Sequence, residues 1–225
     1  MCEPMKRIVK LGVLVSGSGS NLQSIIDHIE KGLLDAEIRM IISNNPEAYA
    51  LVRARKHGIP YTVLEHRDFV SREDFDRKMI EVFNVSGVEL VIMAGFMRVL
   101  SPFFLAAFPM KIMNIHPAIL PSFPGMHAQK KAFDYGVKFS GCTVHFADEG
   151  VDTGPIIIQA IVPVYDQDTD EILAQRILKE EHRIYPKAIQ LYAEGKLEVV
   201  GRKVRVKDHR QTDPYPLHNP PLVSF

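Results

Sequence analysis

The chain of 225 residues has no tryptophan, two cysteines and no net charge, and most of these shortages remove a class of protein. Its 27 Lys and Arg are balanced by 27 Asp and Glu. A nucleic-acid or anionic-membrane binder normally carries a broad positive field, so any basic site here has to be local. Cys2 lies near the terminus, Cys142 lies deep in the chain, and neither has a CxxC partner. A disulfide framework is thereby excluded and a reducing cytosol fits best. The early apolar run from Ile8 to Val15 is interrupted by Lys10 and followed by Ser and Gly, which is no secretory leader. No stretch is long enough to span a bilayer. There is no His-Glu-x-x-His and no histidine pair at helical ligand spacing, so no metal site is expected. Ser18 has Ser16 rather than glycine two places before it, so a nucleophile elbow is absent as well. The expectation is a soluble, cytoplasmic protein long enough to bury a sizeable core.

What is present is alternation. Apolar runs near 8–15, 37–42, 61–64, 88–93 and 111–115 read as strands, separated by helical patterns near 20–31, 47–57, 72–84 and 101–107. Ser71 with Asp74 resembles a capping box, Ser101 before Pro102 marks another helix start, and Gly32 and Gly58 mark two stops. After residue 115 the pattern changes. Pro117, Pro121, Pro124 and Gly125 define a stiff, shaped loop. A short helix near 127–135 follows, then runs 139–146 and 156–164, which read as an antiparallel pair. Residues 168–194 have helical periodicity with a kink expected at Pro186, and 197–206 read as an edge strand. The fold class expected is α/β: a Rossmann-like open, mostly parallel twisted sheet with an antiparallel C-terminal portion and helices on both faces. Residues 1–205 form one domain in this reading, and 206–225, rich in proline, form a poorly ordered tail.

Ligands bind such sheets outside the carboxyl ends of the strands, so the loops there come first. Ser16-Gly17-Ser18-Gly19-Ser20-Asn21-Leu22 links a strand to a helix, and its glycines with the free N–H groups of the helix start suit a phosphate. An ordinary capped turn would read the same way. A dinucleotide fingerprint needs glycine where Leu22 stands and an acid where Ser43, Asn44 and Asn45 stand, and a P-loop needs Gly-Lys-Ser/Thr, so NAD and ATP are disfavoured. Ala94-Gly95-Phe96-Met97-Arg98-Val99-Leu100 is apolar around one cation. It suits a flat heteroaromatic ligand, or a packed loop with Arg98 snorkelling outward.

Asn114 and His116 stand two apart on an extended chain and project side by side, with Pro117 disfavouring helical geometry at His116. An amide donor beside a titrating imidazole suits stabilisation of an oxyanion in acyl transfer. A carboxylate that favours charged histidine would complete the set. In Asp148-Glu149-Gly150-Val151-Asp152-Thr153-Gly154-Pro155, Asp152 is the best candidate, because Asp-Thr-Gly-Pro sets a tight turn while Asp148 and Glu149 read as a solvated tip.

Taken together, Gly17-Ser18-Gly19-Ser20-Asn21, Ala94-Gly95-Phe96-Met97-Arg98, Asn114-Ile115-His116-Pro117-Ala118-Ile119-Leu120-Pro121 and Val151-Asp152-Thr153-Gly154-Pro155 resemble the folate-dependent formyltransferases, and among them the phosphoribosylglycinamide formyltransferases. The likeness runs from about residue 7 to 200. It implies formyl transfer from 10-formyltetrahydrofolate, a co-substrate, to the amine of 5-phosphoribosylglycinamide, with no metal, nucleic acid or membrane involved and a monomeric or homodimeric protein. Residue by residue it implies a phosphate site at Gly19, Ser20 and Asn21, and a second substrate contact at Leu178, Lys179, Glu180 and Glu181. The implied folate pocket comprises Arg72, Met97, Arg98, Val99, Leu100, Asn114, Asp148, Glu149, Gly150, Val151 and Asp152. The implied catalytic set is His116 as acid, Asn114 for the oxyanion and Asp152 to raise the histidine pKa. Formyltetrahydrofolate hydrolase and methionyl-tRNA formyltransferase share this core but are expected to carry added domains for which the chain leaves no room. A non-catalytic folate or phosphosugar binding module is the remaining alternative.

Overall fold

The computed structural model describes residues 7–208. Among these residues nine strands form one sheet: β1 (Val9–Val15), β2 (Ala36–Ser43), β3 (Tyr61–Val63), β4 (Leu90–Met93), β5 (Ile112–His116), β6 (Phe139–Phe146), β7 (Ile156–Pro163), β8 (Leu197–Val200) and β9 (Lys203–Val206). Their spatial order is β3-β2-β1-β4-β5-β6-β7-β9-β8. The first five run parallel, β6 and β7 turn antiparallel, and β9 pairs parallel to β7. Six helices connect them: α1 (Ser20–Glu30), α2 (Tyr49–Lys56), α3 (Arg72–Val85), α4 (Pro102–Ala107), α5 (Ala128–Tyr135) and α6 (Asp170–Ala193).

Burial on both faces explains why the central strands read as nearly unbroken apolar runs. In β1, Val9, Leu11, Val13 and Val15 point into a cluster with Leu22 and Ile25 of α1, Leu51 and Ala54 of α2, and Ile177, Tyr185 and Ile189 of α6. Leu14 faces the opposite side, where Phe75, Met79 and Phe83 of α3 pack with Phe104 of α4. Gly12 sits between them without a side chain because a Cβ there would lie 2.7 Å from the Phe83 ring. Truncating Phe83 would empty this layer, a change that typically costs about 3–5 kcal/mol.

Caps set the helix starts. Ser71 accepts a hydrogen bond from Asp74 N–H at α3, Ser101 accepts from Phe104 N–H at α4 beside Pro102, and Thr169 accepts from Ile172 N–H at α6. α6 runs continuously from Asp170 to Ala193 with Pro186 buried inside it. One expectation is corrected. Residues 197–206 are not one strand but the hairpin β8–β9, because Gly201 takes φ 59° and the chain reverses at Gly201-Arg202. Of the tail placed at 206–225, residues 206–208 end the described chain at the close of β9 and the remainder lies outside the described residues.

The sheet order reverses at β1, with β2 on one side and β4 on the other, which opens a crevice between the β1 and β4 loops. Ser16 stitches those loops together. Its N–H donates to Gly95 carbonyl, and its hydroxyl donates to Asn44 Oδ1 and accepts from Met97 N–H.

Candidate active site

A cleft of about 570 Å³ opens at this edge, lined by the β1 loop, the apolar β4 loop, the end of β5, the loop into α5, the β6–β7 connection and one residue of α6. Its walls are apolar at Met93, Phe96, Val99, Leu105 and Met126, with polar groups concentrated at a few points.

The first is the start of α1. Gly19 is the N-cap in a left-handed conformation, no side chain caps the helix, and no acid occupies the first turn, so the leading N–H groups remain available to an anion. Only glycine fits there, since a Cβ would lie 2.7 Å from that of Ala50. The loop is braced from α2: Ala50 N–H donates to Gly17 carbonyl and Arg53 Nε to Ser18 carbonyl.

The second is the end of β5. His116 is 5% exposed, with Nε2 2.9 Å from Phe123 carbonyl and Nδ1 3.2 Å from Asp152 Oδ2. Both ring nitrogens thus face acceptors, an arrangement that only the imidazolium satisfies fully. Burial nevertheless dominates and lowers the His116 pKa below its ordinary value; the Phe123 carbonyl and Asp152 push it up, and nearby His145 and Lys131 push it down. Asp152 therefore pushes the His116 pKa in the expected direction, and burial outweighs it.

Asp152 is held on several sides. Gly125 N–H donates to Oδ2 at 2.8 Å and Asn114 Nδ2 to Oδ1 at 3.2 Å. Burial pushes its carboxyl up, yet the His145 side chain, Gly125 N–H and the neighbouring His116 outweigh that and hold it below the ordinary value. His145 lies opposite Asn114 in the β5–β6 register. Its Nδ1 donates to Phe146 carbonyl, and its Nε2 lies 3.2 Å from Asn114 Nδ2 and 3.7 Å from Asp152 Oδ1.

The third is Glu181, on the buried stripe of α6 between Ile177 and Tyr185. Its Oε2 accepts from Asn21 Nδ2 at 2.7 Å, and burial pushes its pKa up against that bond. Among the described residues Asn21 Oδ1 has no hydrogen-bond partner although it is buried, so a donor from a ligand would satisfy it.

With this geometry, comparison with known proteins is decisive: a model of the formyl transferase family matches residues 9–189. The chain belongs to the formyl transferase family. It is 40% identical over 187 residues to "Phosphoribosylglycinamide formyltransferase" of Escherichia coli (strain K12), covering 83% of this chain and 88% of that one. It is 45% identical over 192 residues to "Trifunctional purine biosynthetic protein adenosine-3" of Drosophila melanogaster, covering 84% of this chain but 14% of that protein, so it spans a small part of such relatives. The crystal structure of glycinamide ribonucleotide transformylase 1 from Symbiobacterium toebii superposes with a TM-score of 0.88 at 49% identity, covering 89% of this chain and 95% of that one.

Within this formyl transferase fold, the expected residues divide. Ser20, Asn21, Met97, Arg98, Val99, Leu100, Asn114, His116, Asp148, Gly150, Val151, Asp152 and Glu181 line the cleft. Gly19 shapes it from behind, and Glu149 points to solvent. Arg72 is exposed at the first turn of α3 and is not among the lining residues, because that turn is anchored at the surface by Ser71 and Asp74. Leu178, Lys179 and Glu180 also fall outside the cleft, since only every third or fourth residue of α6 faces inward; Glu180 pairs with Arg183 instead. Asp148 is not a free tip: it accepts from Gly150 N–H and Thr153 hydroxyl and closes the loop. Sequence reading missed His145, Met126, His127 and Gln129. A histidine inside the apolar run of β6 was the signal for the first.

Proposed function

We propose that the chain transfers a formyl group from 10-formyltetrahydrofolate to the glycinamide amine of 5-phosphoribosylglycinamide, a step of purine biosynthesis, with residues 1–205 acting as one catalytic unit. The observation that carries this reading is the joining of Asn114, His116 and Asp152 in one buried cluster, in the same cleft as an uncapped helix N-terminus. The α1 start and Ser20 hold the phosphate. The Asn21–Glu181 pair meets the amine, with Glu181 as a carboxylate acceptor and Asn21 Oδ1 as a second one. Met97–Leu100 and the 148–152 loop cradle the pterin.

The amine nitrogen attacks the formyl carbon and the oxygen becomes an oxyanion. Asn114 aims its two N–H bonds at Asp152 and His145, each at 3.2 Å, long enough for a charged acceptor to take one over. The oxyanion adds a second negative charge beside His116, so the imidazolium that burial disfavours in the resting protein becomes favourable as the reaction proceeds. Stabilisation confined to the transition state raises the rate rather than merely the affinity. The carbon–nitrogen bond to the folate then breaks, His116 supplies the proton that nitrogen takes up, and the proton lost by the amine restores the balance through solvent. Holding both substrates in one cleft adds an advantage that reaches about 7–11 kcal/mol in well-oriented pairs.

The test is folate absorbance with and without the phosphoribosylglycinamide. Turnover is expected only when both are present. Folate turnover in its absence would assign hydrolysis instead, and binding of both without turnover would leave a carrier.

A further inference from the structure

The formyl transferase match ends at residue 189, yet the structure joins the hairpin beyond it to the cleft. Val200 and Lys203 pair directly across a two-residue turn, and Gly201 at φ 59° presents Arg202 at the tip. Its guanidinium donates from Nη2 to the carbonyl of Thr153 at 2.7 Å, a charge-assisted bond that reaches the residue next to Asp152. β9 also joins β7 where Ile156 faces Lys203, so hairpin and loop share one anchor just past the turn.

The backbone held in this way is strained. Asp152 adopts φ 56°, a left-handed conformation uncommon for a residue with a side chain, which persists only where its surroundings over-determine it. Asp148 ties the loop from within through Gly150 and Thr153, and Gly154 lies so close to Phe146 carbonyl that no Cβ fits. Arg202 restrains the Thr153 backbone from outside the loop, while Gly125 and Asn114 hold the Asp152 side chain. The Asp152 carboxylate, in turn, has to sit within reach of Gly125, Asn114 and His116 together.

We propose that Arg202 is a positioning residue: by clamping the Thr153 carbonyl it keeps Asp152 in its strained turn and so in register with His116. This rests on the function proposed above for the cluster. It makes the C-terminal hairpin part of the working site, although the hairpin contributes no group to the cleft lining.

The test compares the parent chain with Arg202→Ala and Arg202→Lys. Two readouts are needed: amide hydrogen exchange across 148–155 without substrates, and kcat, KM and pH profile of formyl transfer. Loss of one charge-assisted bond at this point should lower kcat about tenfold. The basic limb of the profile should move to lower pH, because His116 loses part of the field that favours its proton. The KM for the phosphoribosyl substrate should stay the same, since the β1 loop is braced from α2. Exchange in 148–155 should accelerate in Arg202→Ala, and Arg202→Lys, which keeps a donor, should recover part of both effects. Unchanged exchange and an unmoved pH profile overturn the proposal, as does a uniform loss of both substrates in step with a lower melting temperature. If the parent chain shows no formyl transfer, the function proposed above fails instead, and the exchange comparison still decides whether Arg202 holds the loop.

Discussion

Replacing Asp152 by asparagine removes the charge that faces His116, and with its oxygen kept toward Gly125 it turns an amide donor toward Asn114 Nδ2. Asparagine is nearly isosteric, tolerates the left-handed φ of 56° as readily as aspartate, and keeps an oxygen that can accept from Gly125 N–H. The loop should therefore hold, at a cost of about 1–3 kcal/mol for the displaced Asn114 donor. The electrostatic loss is larger. Unit charges 3.2 Å apart attract by about 5 kcal/mol at an effective dielectric of about 20. Burial, which already pushes His116 down, remains in the variant, so removing the carboxylate removes the main charge that opposes it.

A general acid contributes about 10²–10⁴-fold to a rate, or roughly 2.7–5.4 kcal/mol, and the Coulomb figure lies at the upper end of that range. A fall in kcat of about 10³-fold is expected for Asp152→Asn. The sign of the pH effect follows. In the role proposed for it His116 works in its protonated form, so activity should fall as pH rises through its pKa, and lowering that pKa should move the basic limb to lower pH. The measurement is folate absorbance across pH with saturating substrates, alongside thermal melting to show that the fold is intact. A folded variant with kcat within about threefold of the parent and an unmoved basic limb would refute the role given to this pair.

Two further substitutions probe the other polar points of the cleft. Glu181→Gln keeps an acceptor for Asn21 but removes a carboxylate whose folded-state pKa burial raises; that carboxylate costs stability as pH rises above its unfolded value, so the variant should melt higher at alkaline pH and lose the advantage on acidification. The same variant should raise the phosphoribosyl KM about 10–100-fold through loss of a charged contact, and an unchanged KM would remove Glu181 from the amine site. Gly19→Ala forces a side chain into φ 67° and against Ala50, costing at least about 1–2 kcal/mol and raising the phosphoribosyl KM more than the folate KM; calorimetry and steady-state kinetics read both, and the reverse ranking would misplace the phosphate.

What could be read from the residues in order was whatever local chemistry decides. Asn114 and His116 are two apart on a strand that Pro117 keeps extended, and the turn chemistry of Asp152-Thr153-Gly154-Pro155 singles out one carboxylate of three, so both halves of the cluster were visible without knowing that they meet. Pairing and burial were not. His145 joins the cluster because β6 runs antiparallel to β5 in a register that sets it against Asn114, and register is a long-range property. Arg72 lies outside the cleft lining for the complementary reason: a helix start can be located from Ser71 and Asp74, but the direction in which its first side chain leaves depends on how α3 packs. Glu181 shows the middle case. Its spacing from Ile177 and Tyr185 places it on the apolar stripe of α6, where a carboxylate is costly, and a charge on such a stripe is retained only for a partner or a ligand. The net shift of His116 was beyond any motif, because it is the difference between a desolvation that the whole fold imposes and a field that one neighbour supplies. The cluster therefore sits where the two kinds of information cross: local turns set which histidine and which carboxylate can meet, and the sheet register and helix packing decide how strongly each feels the other.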